Sequence, residues 1–538
     1  MTNKLVSIVR TGALQSSLIT LRANTSVLER PDRFARAVGA ALPYGNGMLA
    51  AVAASAARYP RAVAIATADQ QVTYAQLWRG SNAIARGLAE YGLGSSDRVG
   101  ILCRNSPMFV YALLAATKLG ADIVLLNTAM GPVQLADVVA GDNLTAVLHD
   151  DDFGAALSAD GGACAFDATQ LQLLARTRSR GWLKPPRRYS RLAILTSGTT
   201  GRPKGATRSS SGSSADTVGA LLGTVPYRLR DTTVIAAPFF HGWGLANLLV
   251  GLGLSATVLT APEFGAAHTL SLVADHKARG LVVVPTMLQR ICELPPTQLA
   301  QANTDNLRII ASSGSALPGH LVTEVLNRFG PVLYNAYGST EVALVSIATP
   351  AELHRAPTTA GRRVLGVRVE LLDELGATIA AANTVGRIFV ASRARFDGYS
   401  NGQSKEVVNG LMSTGDLGHF DERGRLFVVG REDDMIVSGG ENVYPAEIEE
   451  LLNSDVRITE AAVVGVDDDR FGQALKAVVV VAPNHHVDEQ ELKELIAHRL
   501  AKFKVPRIFE FVDALPRNAA GKILRRELKS TRSIANDR

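Results

Sequence analysis

Residues 196–205 read Thr196-Ser197-Gly198-Thr199-Thr200-Gly201-Arg202-Pro203-Lys204-Gly205 and follow an apolar run, Leu192-Ala193-Ile194-Leu195, that predicts the end of a buried strand. Glycines let a backbone adopt positive φ and approach a ligand closely. Backbone N–H groups and hydroxyls can then surround phosphate oxygens, and Lys204 adds a positive charge. The segment therefore predicts a loop that holds the phosphates of a nucleoside triphosphate.

The spacing of this segment excludes a Walker P-loop. That motif needs Gly-Lys followed by Ser or Thr, and no such triplet follows Gly198 or Gly201 at the required distance. Pro203 also stands where the P-loop helix would begin. A Ser/Thr/Gly-rich surface loop without a ligand is the remaining alternative, and the order of the ten residues favours ligand binding.

Composition limits the class of protein. The chain has 538 residues, too many for one hydrophobic core, which predicts two or more domains. Its net charge of +6 gives no indication of a nucleic-acid partner but suits anionic ligands such as ATP or coenzyme A. The three cysteines are far apart and lack metal-ligand spacing, which predicts a reducing, cytoplasmic setting.

Two segments bear on membrane contact. Residues 242–262 carry no charge, but Asn247 and the internal glycines favour a buried helix followed by a buried strand over a membrane span. Residues 1–45 are basic and contain no secretory signal, which predicts a poorly ordered extension. A peripheral contact of this extension with a membrane surface is the alternative.

The order of apolar runs predicts α/β architecture. Strand-like and helix-like runs alternate from about residue 46 to 430, which is typical of largely parallel sheets. The serine-rich run at 209–214 is interpreted as a mobile loop edge. A smaller α+β unit follows Arg431. Strands are predicted at 62–68, 98–103, 121–126, 146–149, 234–237, 281–284, 307–311, 461–466 and 477–481, and helices at 74–91, 107–119, 446–452 and 488–500.

Seven further motifs follow the 196–205 segment. Taken singly, each has an ordinary structural reading, such as a packed core histidine, a strand-to-helix turn or a solvated lysine. The same residues could also bind a nucleotide. An aromatic ring beside glycine can stack on a purine, and a carboxylate can hold Mg²⁺ or ribose hydroxyls. The motifs are Pro238-Phe239-Phe240-His241-Gly242-Trp243-Gly244, Ser313-Gly314-Ser315-Ala316-Leu317-Pro318, Asn335-Ala336-Tyr337-Gly338-Ser339-Thr340-Glu341, Ser413-Thr414-Gly415-Asp416, Gly430-Arg431-Glu432-Asp433-Asp434, Ser438-Gly439-Gly440-Glu441-Asn442 and Gly521-Lys522-Ile523.

In this order the motifs resemble those of the adenylate-forming superfamily, which includes acyl-CoA synthetases, luciferases and the adenylation domains of peptide synthetases. The resemblance covers roughly residues 46 to 530. It implies a large N-terminal α/β domain of packed sheets and helices at 46–431, a hinge at 432–434 and a small mobile α+β domain at 435–538. Residues 1–45 would precede this fold as the basic extension.

The resemblance also implies a nucleotide site with ATP and Mg²⁺. Tyr337 would stack on adenine, Thr340 would contact the α-phosphate, and Glu341 would bind the metal together with Thr196. Asp416 and Arg431 would meet the ribose. The remaining implied nucleotide-binding residues are Ser197, Gly198, Thr199, Thr200, Gly201, Lys204, Gly314, Ser315, Ala316, Asn335, Ala336 and Gly338.

The acid, the thiol and the moving parts are implied in the same way. The acid pocket would be lined by His241, Trp243, Gly244 and Met287. Lys522, with His241, Thr340 and Glu341, would be catalytic and would bridge the carboxylate and the α-phosphate during adenylation. Coenzyme A would pass Ser438, Gly439 and Gly440, and Asp433 would be the hinge. Two departures are Ala520, where relatives usually carry Thr or Ser, and Ala206-Thr207-Arg208, which lacks a histidine.

The implied function is activation of a carboxylic acid to acyl-AMP and then to acyl-CoA, with a medium- or long-chain fatty acid as substrate. The alternatives are a fatty acyl-AMP ligase that loads a carrier protein, a peptide-synthetase adenylation unit and an aryl-acid CoA ligase. A nucleotide-binding sensor on the same fold is the non-enzymatic alternative. It is disfavoured because such a protein is expected to have lost Lys522 or Glu341, and both are present.

Overall fold

The computed structural model describes residues 31–45, 47–157, 163–196, 204–399, 402, 404–438, 441–468, 472–518 and 521–529. Two large mixed sheets form the body of the molecule. The first has nine strands, and its six central strands are parallel. Across the sheet they are Arg362–Arg363, Ala343–Ala348, Leu333–Ser339, Ile309–Ser312, Gly280–Val283, Thr232–Ile235, Thr257–Leu259, Val63–Ala66 and Gln71–Thr73.

The second sheet has seven strands, five of them parallel. Ile101 from this sheet and Ile235 from the first sheet belong to one buried cluster, so the two sheets share a core. Across the sheet the strands are Gly398–Tyr399, Lys204–Ser209, Arg191–Thr196, Asp122–Leu125, Arg98–Leu102, Ala146–His149 and Cys164–Asp167.

A third sheet is antiparallel throughout and has five strands. The predicted alternation of strands and helices up to residue 430 is therefore wrong after the helix Pro350–Arg355, because consecutive strands here pair directly without a crossover helix. The strands are Arg368–Leu372, Gly386–Ala391, Leu411–Phe420, Val407–Val408 and Leu426–Arg431.

The C-terminal unit has its own five-stranded sheet and its own buried cluster, which includes Val463, Ala477 and Ile496. A separate core beside mixed strands and helices confirms the predicted α+β character. The strands are Glu441–Val443, Ile436–Ser438, Gly472–Val481, Ile458–Asp468 and Ile508–Phe511, and the helices are Pro445–Asn453, Glu489–Arg499 and Arg525–Lys529.

Local sequence explains where the better-defined helices begin and end. The helix Pro107–Leu119 starts behind Ser106, whose Oγ accepts a hydrogen bond from Phe109 N at 3.2 Å, and it stops at Gly120 in the left-handed region. The other N-terminal helices are Pro31–Ala41, Met48–Arg58, Tyr74–Glu90, Pro132–Gly141, Gly154–Leu157, Ala168–Thr177, Ser210–Thr224, Gly242–Gly253, Ala266–Asp275, Pro285–Cys292, Pro296–Gln301, Gly319–Phe329 and Pro350–Arg355.

Three sequence predictions about local structure can be compared with these elements. The helix Gly242–Gly253 followed by the strand Thr257–Leu259 confirms the interpretation of 242–262. The loop edge predicted at 209–214 is wrong, because a strand runs to Ser209 and a helix begins at Ser210. Residues 31–41 of the predicted poorly ordered extension form a helix, and residues 1–30 lie outside the described residues. Every helix in the described chain is too short or too polar to span a bilayer.

Candidate active site

The predicted phosphate loop connects two paired strands. Arg191–Thr196 and Lys204–Ser209 are antiparallel, with Thr196 opposite Lys204. A strand–loop–strand connection agrees with the exclusion of a P-loop, which would be followed by a helix. The backbone ends at Thr196 and Lys204 are therefore placed at one hairpin. Their side chains, and the predicted phosphate contacts Ser197, Gly198, Thr199, Thr200 and Gly201, lie outside the described residues.

Two motifs predicted to bind the nucleotide belong to neighbouring parallel strands, one directly after Ile309–Ser312 and the other toward the carboxyl end of Leu333–Ser339. Ser312 at the end of one strand is paired with Asn335 in the next, so the segments 313–316 and 335–338 lie side by side. Gly314, between the strand and Ser315, has φ of 104°, a conformation that strongly favours glycine. The edge formed by carboxyl ends of parallel strands is where open α/β sheets bind ligands.

Tyr337, Asp416 and Arg431 are joined into one polar group. Tyr337 Oη donates to Asp416 Oδ2 at 2.6 Å, and Arg431 Nη1 lies 3.4 Å from Asp416 Oδ1. Burial raises the pKa of the Asp416 carboxyl, while Arg431, Lys522 and Lys405 act in the opposite direction. The predicted adenine-stacking and ribose-binding residues are thus in direct contact, and Lys522 is close enough to Asp416 to affect its titration.

Glu341 lies in the turn between the strands Leu333–Ser339 and Ala343–Ala348. Tyr399 Oη donates to Glu341 Oε1 at 2.7 Å, and Phe396 N donates to the Glu341 carbonyl at 2.7 Å. Burial, and then Glu341, raise the pKa of Tyr399, so its hydroxyl stays a donor near neutral pH. Tyr399 also pairs with Ala206 in the strand that follows the phosphate loop. Through Tyr399 the carboxylate is therefore linked to the strand Lys204–Ser209 that follows the loop.

This environment fits Mg²⁺ carried by a nucleotide better than a resident metal. Among the described residues, no three His, Cys, Asp or Glu side chains are grouped as a metal site. Mg²⁺ is typically held by one or two carboxylates plus substrate phosphates, and Glu341 supplies one carboxylate with a single oxygen engaged by Tyr399. The second predicted metal ligand, Thr196, has no described side chain.

The predicted acid pocket is apolar and its histidine is neutral. Burial lowers the pKa of His241 to about 4, and Nε2 is buried with no hydrogen-bond partner among the described residues. His241 precedes the helix Gly242–Gly253, and Trp243 Nε1 donates to Val283 O at 3.1 Å. Gly244 packs so closely that a Cβ there would lie 2.2 Å from Pro238 O. Trp243 and Met287 both pack against the main core cluster.

Lys522 is presented by a braced hairpin. Asn518 N donates to Lys522 O at 2.9 Å, and Asn518 Oδ1 accepts from Lys522 N at 2.9 Å. Arg517 donates to Gly521 O at 2.7 Å and forms an ion pair with Glu460. The loop is therefore held at its base while the Lys522 side chain is exposed.

The hairpin also contacts the large domain. A Cβ at Gly521 would lie 2.3 Å from Thr286 Oγ1, next to Met287 of the predicted acid pocket. A second contact joins Gly319 N to Glu450 Oε1 at 3.1 Å. In this structure the contact of Gly521 with Thr286 and the electrostatic influence of Lys522 on Asp416 bring the hairpin close to the predicted nucleotide and acid residues.

The predicted hinge and thiol path lie at the start of the small domain. Asp433 is in a short 3-10 turn, Glu432–Asp434, and its Oδ1 accepts from Arg431 Nε at 3.0 Å. Ser438 ends a strand of the small sheet and pairs with Glu441 on one side and Gly472 on the other. Gly439 and Gly440 lie outside the described residues.

Sequence reasoning missed Tyr399 and Thr286 at this site. Tyr399 lies in a two-residue strand and reaches Glu341 across 58 positions of the chain. Thr286 meets Gly521 only because the two domains are in contact. Tyr399 stands in no periodic pattern or motif, whereas Thr286 directly precedes the predicted pocket residue Met287, so only Thr286 has a nearby sequence signal.

Comparison with known proteins agrees with this geometry. Residues 52–400 match the AMP-binding enzyme family, and residues 447–522 match the AMP-binding enzyme C-terminal domain. The chain is 31% identical over 484 residues to a 2-succinylbenzoate–CoA ligase of Bacillus pumilus, covering 88% of this chain and 95% of that protein. It is 30% identical over 492 residues to the fatty acid–(acyl-carrier-protein) ligase ScoC of Streptomyces coeruleorubidus, covering 87% and 93%.

A solved structure shows the same fold. The o-succinylbenzoate CoA synthetase MenE of Bacillus subtilis, in complex with its acyl-adenylate intermediate, superimposes with a TM-score of 0.79 at 28% identity, covering 90% of this chain and 98% of that one. The predictions of the fold class and of an acid–thiol ligase are confirmed. On this match the chain belongs to the adenylate-forming superfamily of AMP-binding enzymes.

Proposed function

We propose that this enzyme activates an apolar carboxylic acid with ATP·Mg²⁺ and transfers the acyl group to the thiol of coenzyme A. The observation that carries the proposal is the position of Lys522 on a braced hairpin of the small domain, close to Asp416 and in contact with the acid-pocket side through Gly521 and Thr286. This placement brings a mobile positive charge to the boundary of the nucleotide and acid sites.

In the first half-reaction, a carboxylate oxygen attacks the α-phosphorus of ATP, and the bond between the α-phosphorus and its bridging oxygen to pyrophosphate breaks. Tyr337 stacks on adenine, while Asp416 and Arg431 hold the ribose. Glu341, oriented by Tyr399, would contribute a carboxylate to Mg²⁺, and the metal ion would supply positive charge to neutralise the phosphates. Lys522 stabilises the negative charge that develops on the α-phosphate and the entering carboxylate. Neutral, buried His241 keeps the acid side of the site uncharged.

In the second half-reaction, the thiolate of coenzyme A attacks the acyl carbon and AMP leaves. Direct attack on a carboxylate is blocked by its charge and its poor leaving group, and adenylation removes both obstacles. The contacts of Gly521 with Thr286 and of Gly319 with Glu450 hold the small domain against the large domain in the present arrangement. Rotation of the small domain about Asp433 would break both contacts, withdraw Lys522 and bring in the 438–440 segment.

For the acid we propose a medium- or long-chain fatty acid. His241 to Leu249 carry no charged side chain, and neither do the neighbouring residues Pro285 to Leu288. Burial of each methylene contributes about 0.8 kcal/mol, so kcat/KM should rise severalfold per CH₂ until the pocket is full. The relative ScoC, which is named as a fatty acid ligase, supports this assignment.

An aryl acid is the second candidate for the substrate. Several relatives, including the Bacillus pumilus ligase and MenE, are named for 2-succinylbenzoate or its derivatives, and Trp243 offers a ring on which an aromatic acid could stack. ScoC is named as a ligase that uses an acyl-carrier protein, so a phosphopantetheine-bearing carrier protein is the alternative acceptor to coenzyme A.

One acid panel separates these candidates. We would measure pyrophosphate release and thioester formation with acetate, hexanoate, dodecanoate, a cinnamate and 2-succinylbenzoate, using coenzyme A and then a phosphopantetheinylated carrier as acceptor. The proposal expects dodecanoate with coenzyme A to give the highest kcat/KM. A higher kcat/KM for the aryl acids would show that the substrate is an aryl acid and not a fatty acid. Pyrophosphate release with thioester formed only on the carrier would show that the acceptor is a carrier protein and not coenzyme A. Nucleotide binding without pyrophosphate release from any acid would indicate a sensor.

A further inference from the structure

Asn105 is a buried amide that follows a strand of one large sheet and binds backbone beside the other. It comes three residues after the strand Arg98–Leu102, and it is 5% exposed. Its Nδ2 donates to Ala237 O at 3.1 Å, and its Oδ1 accepts from Phe239 N at 2.7 Å. The bonded residues flank Pro238, which has no N–H. The side-chain amide thus satisfies one backbone acceptor and one backbone donor of residues 237–239.

The stretch bound by Asn105 leads directly to the proposed acid pocket. His241 N donates to Pro238 O at 3.1 Å, which closes a turn over residues 238–241. The helix carrying Trp243 begins at Gly242, and Gly244 of this helix packs directly on the Pro238 carbonyl. Because these contacts are rigid, a shift of Pro238 would also move His241 and Trp243.

A second contact from the same segment supports the turn. Phe239 is fully buried, and its ring centroid lies 5.4 Å from that of Phe109. Phe109 is in the helix whose N-cap, Ser106, directly follows Asn105. Ring packing is largely non-directional, whereas the paired amide hydrogen bonds fix both the direction and the register of the turn. The polar contact is therefore the one that defines where the turn stands.

We propose that Asn105 is a positioning residue that sets the place of His241 and Trp243 and thereby the acid selectivity of the enzyme. Within the described chain its side-chain hydrogen bonds go only to Ala237 and Phe239. The inference rests on the proposed acid pocket. It requires that changes at Asn105 alter acid recognition and leave ATP recognition intact.

Asn105→Asp is the sharpest variant because it keeps the shape of the side chain. One carboxylate oxygen still accepts from Phe239 N, but the other now faces Ala237 O, where the parent has an N–H donor. The KM for the acid should rise about tenfold or more, since a buried carbonyl loses its partner and meets a negative charge. The order of preference within the acid panel should also change, whereas the KM for ATP should stay within about twofold.

The same variant offers a recovery test. Burial raises the pKa of a carboxyl group, and the protonated form can again donate to Ala237 O through its O–H. The acid KM of Asn105→Asp, expressed relative to the parent at each pH, should therefore fall as the pH is lowered. Taking this ratio removes contributions from the nearby titratable and charged groups Cys103, Arg104, Asp150 and His241. Asn105→Ala should show the raised acid KM without this recovery.

Asn82→Asp is the matched control. Asn82 is also a buried amide away from the turn, and its Nδ2 donates to the Gly181 carbonyl at 2.8 Å. Its Oδ1 accepts from Lys118 Nζ at 2.7 Å, so the match to Asn105 lies in the amide donor that faces a backbone carbonyl. This variant should keep the parental order of acids. Thermal unfolding of every variant separates general destabilisation from a change in selectivity, and Asn105→Ser replaces Asn105→Asp if the latter does not fold.

Trp243→Ala distinguishes failure of this inference from failure of the pocket assignment. If Trp243→Ala changes the order of acids and the Asn105 variants do not, Asn105 has no positioning role and the pocket stands. If Trp243→Ala also leaves the order unchanged, the pocket assignment is wrong and the inference falls with it. An equal rise in the KM for acid and ATP would likewise overturn the positioning role.

Discussion

Lys522 is an exposed side chain on a fixed backbone, and this combination predicts a defect confined to one half-reaction. Its loop is held by Asn518 and Arg517, so Lys522→Ala should remove the charge without moving the hairpin. We expect acyl-AMP formation to fall by about two to three orders of magnitude, as for other preorganised electrostatic groups. Thioester formation from supplied acyl-AMP should survive. Rapid quench of the two half-reactions measures both, with exposed Lys529→Ala as control; equal losses in both would contradict the assignment.

His241 should make folding sensitive to mild acid. Burial lowers its folded pKa to about 4, below the ordinary value of 6.5, so the unfolded chain takes up the proton first. The stabilisation from neutral His241 is complete above pH 6.5 and is lost as the pH falls toward 4. The difference corresponds to about 3 kcal/mol. Denaturant unfolding at several pH values should therefore show a flatter acid limb for His241→Leu than for the parent, and identical slopes would refute the prediction.

At the scale of the element, the position of the helix Gly242–Gly253 depends on the close packing of Gly244 against the backbone of Pro238. In Gly244→Ala the new Cβ would lie 2.2 Å from Pro238 O and 2.7 Å from Ala237 O, both of them backbone atoms that cannot rotate away. We expect a loss of about 1–3 kcal/mol or more in stability and a raised KM for the acid. Gly253→Ala, whose Cβ would meet only Ala51 Cβ at 3.6 Å, is the control in the same helix. It should be neutral or slightly stabilising, because alanine favours helix; equal effects would exclude a steric origin.

Elements with strong local patterns were predictable from the sequence, and those specified by pairing were not. The helix at 107–119 matches its predicted bounds because a capping serine and a terminal glycine define its ends. The strand at 146–149 matches its predicted bounds because it is a short apolar run. The antiparallel sheet after residue 367 was missed, since its strands depend on partners distant in sequence. The sequence predicts a loop edge at 209–214, because serine favours turns. The helix that begins at Ser210 shows that this local preference does not decide the structure there.

The candidate site follows the same division. Tyr337, Asp416, Arg431 and Lys522 were selected from motifs, and the structure brings the first three into contact with Lys522 nearby. Their hydrogen-bond partners elsewhere in the fold, such as Tyr399 on Glu341, could not be read from the chain. Motif chemistry is encoded by adjacent residues, whereas the orientation of a side chain depends on neighbours that only the folded molecule supplies.

At the scale of the whole molecule, the proposed second half-reaction requires that the contacts between the domains break. The described contacts that join the hairpin and the helix Pro445–Asn453 to the large domain include a hydrogen bond from Gly319 N to Glu450 Oε1 at 3.1 Å and the approach of Gly521 to Thr286. Polar contacts between domains can be exchanged for contacts with water, and interfaces with polar character commonly allow domains to move relative to one another. The connection that must absorb such a rotation is the 3-10 turn Glu432–Asp434 between two strands.

Asp433→Pro tests this connection, because proline fixes φ and removes an N–H. Asp433 also accepts a hydrogen bond from Arg431 Nε at 3.0 Å, so the substitution removes an ion pair next to the ribose-binding group as well. Asp433→Ala loses the same pair while leaving the backbone free, and it serves as the control. We expect Asp433→Ala to support both half-reactions and Asp433→Pro to form acyl-AMP but not thioester, because the domains stay in the adenylation arrangement. Single-turnover assays of each half-reaction compare the two variants. Normal overall turnover in Asp433→Pro would place the hinge elsewhere. Equal defects in both variants would show that the loss of the Arg431 ion pair, and not the fixed backbone, causes the defect.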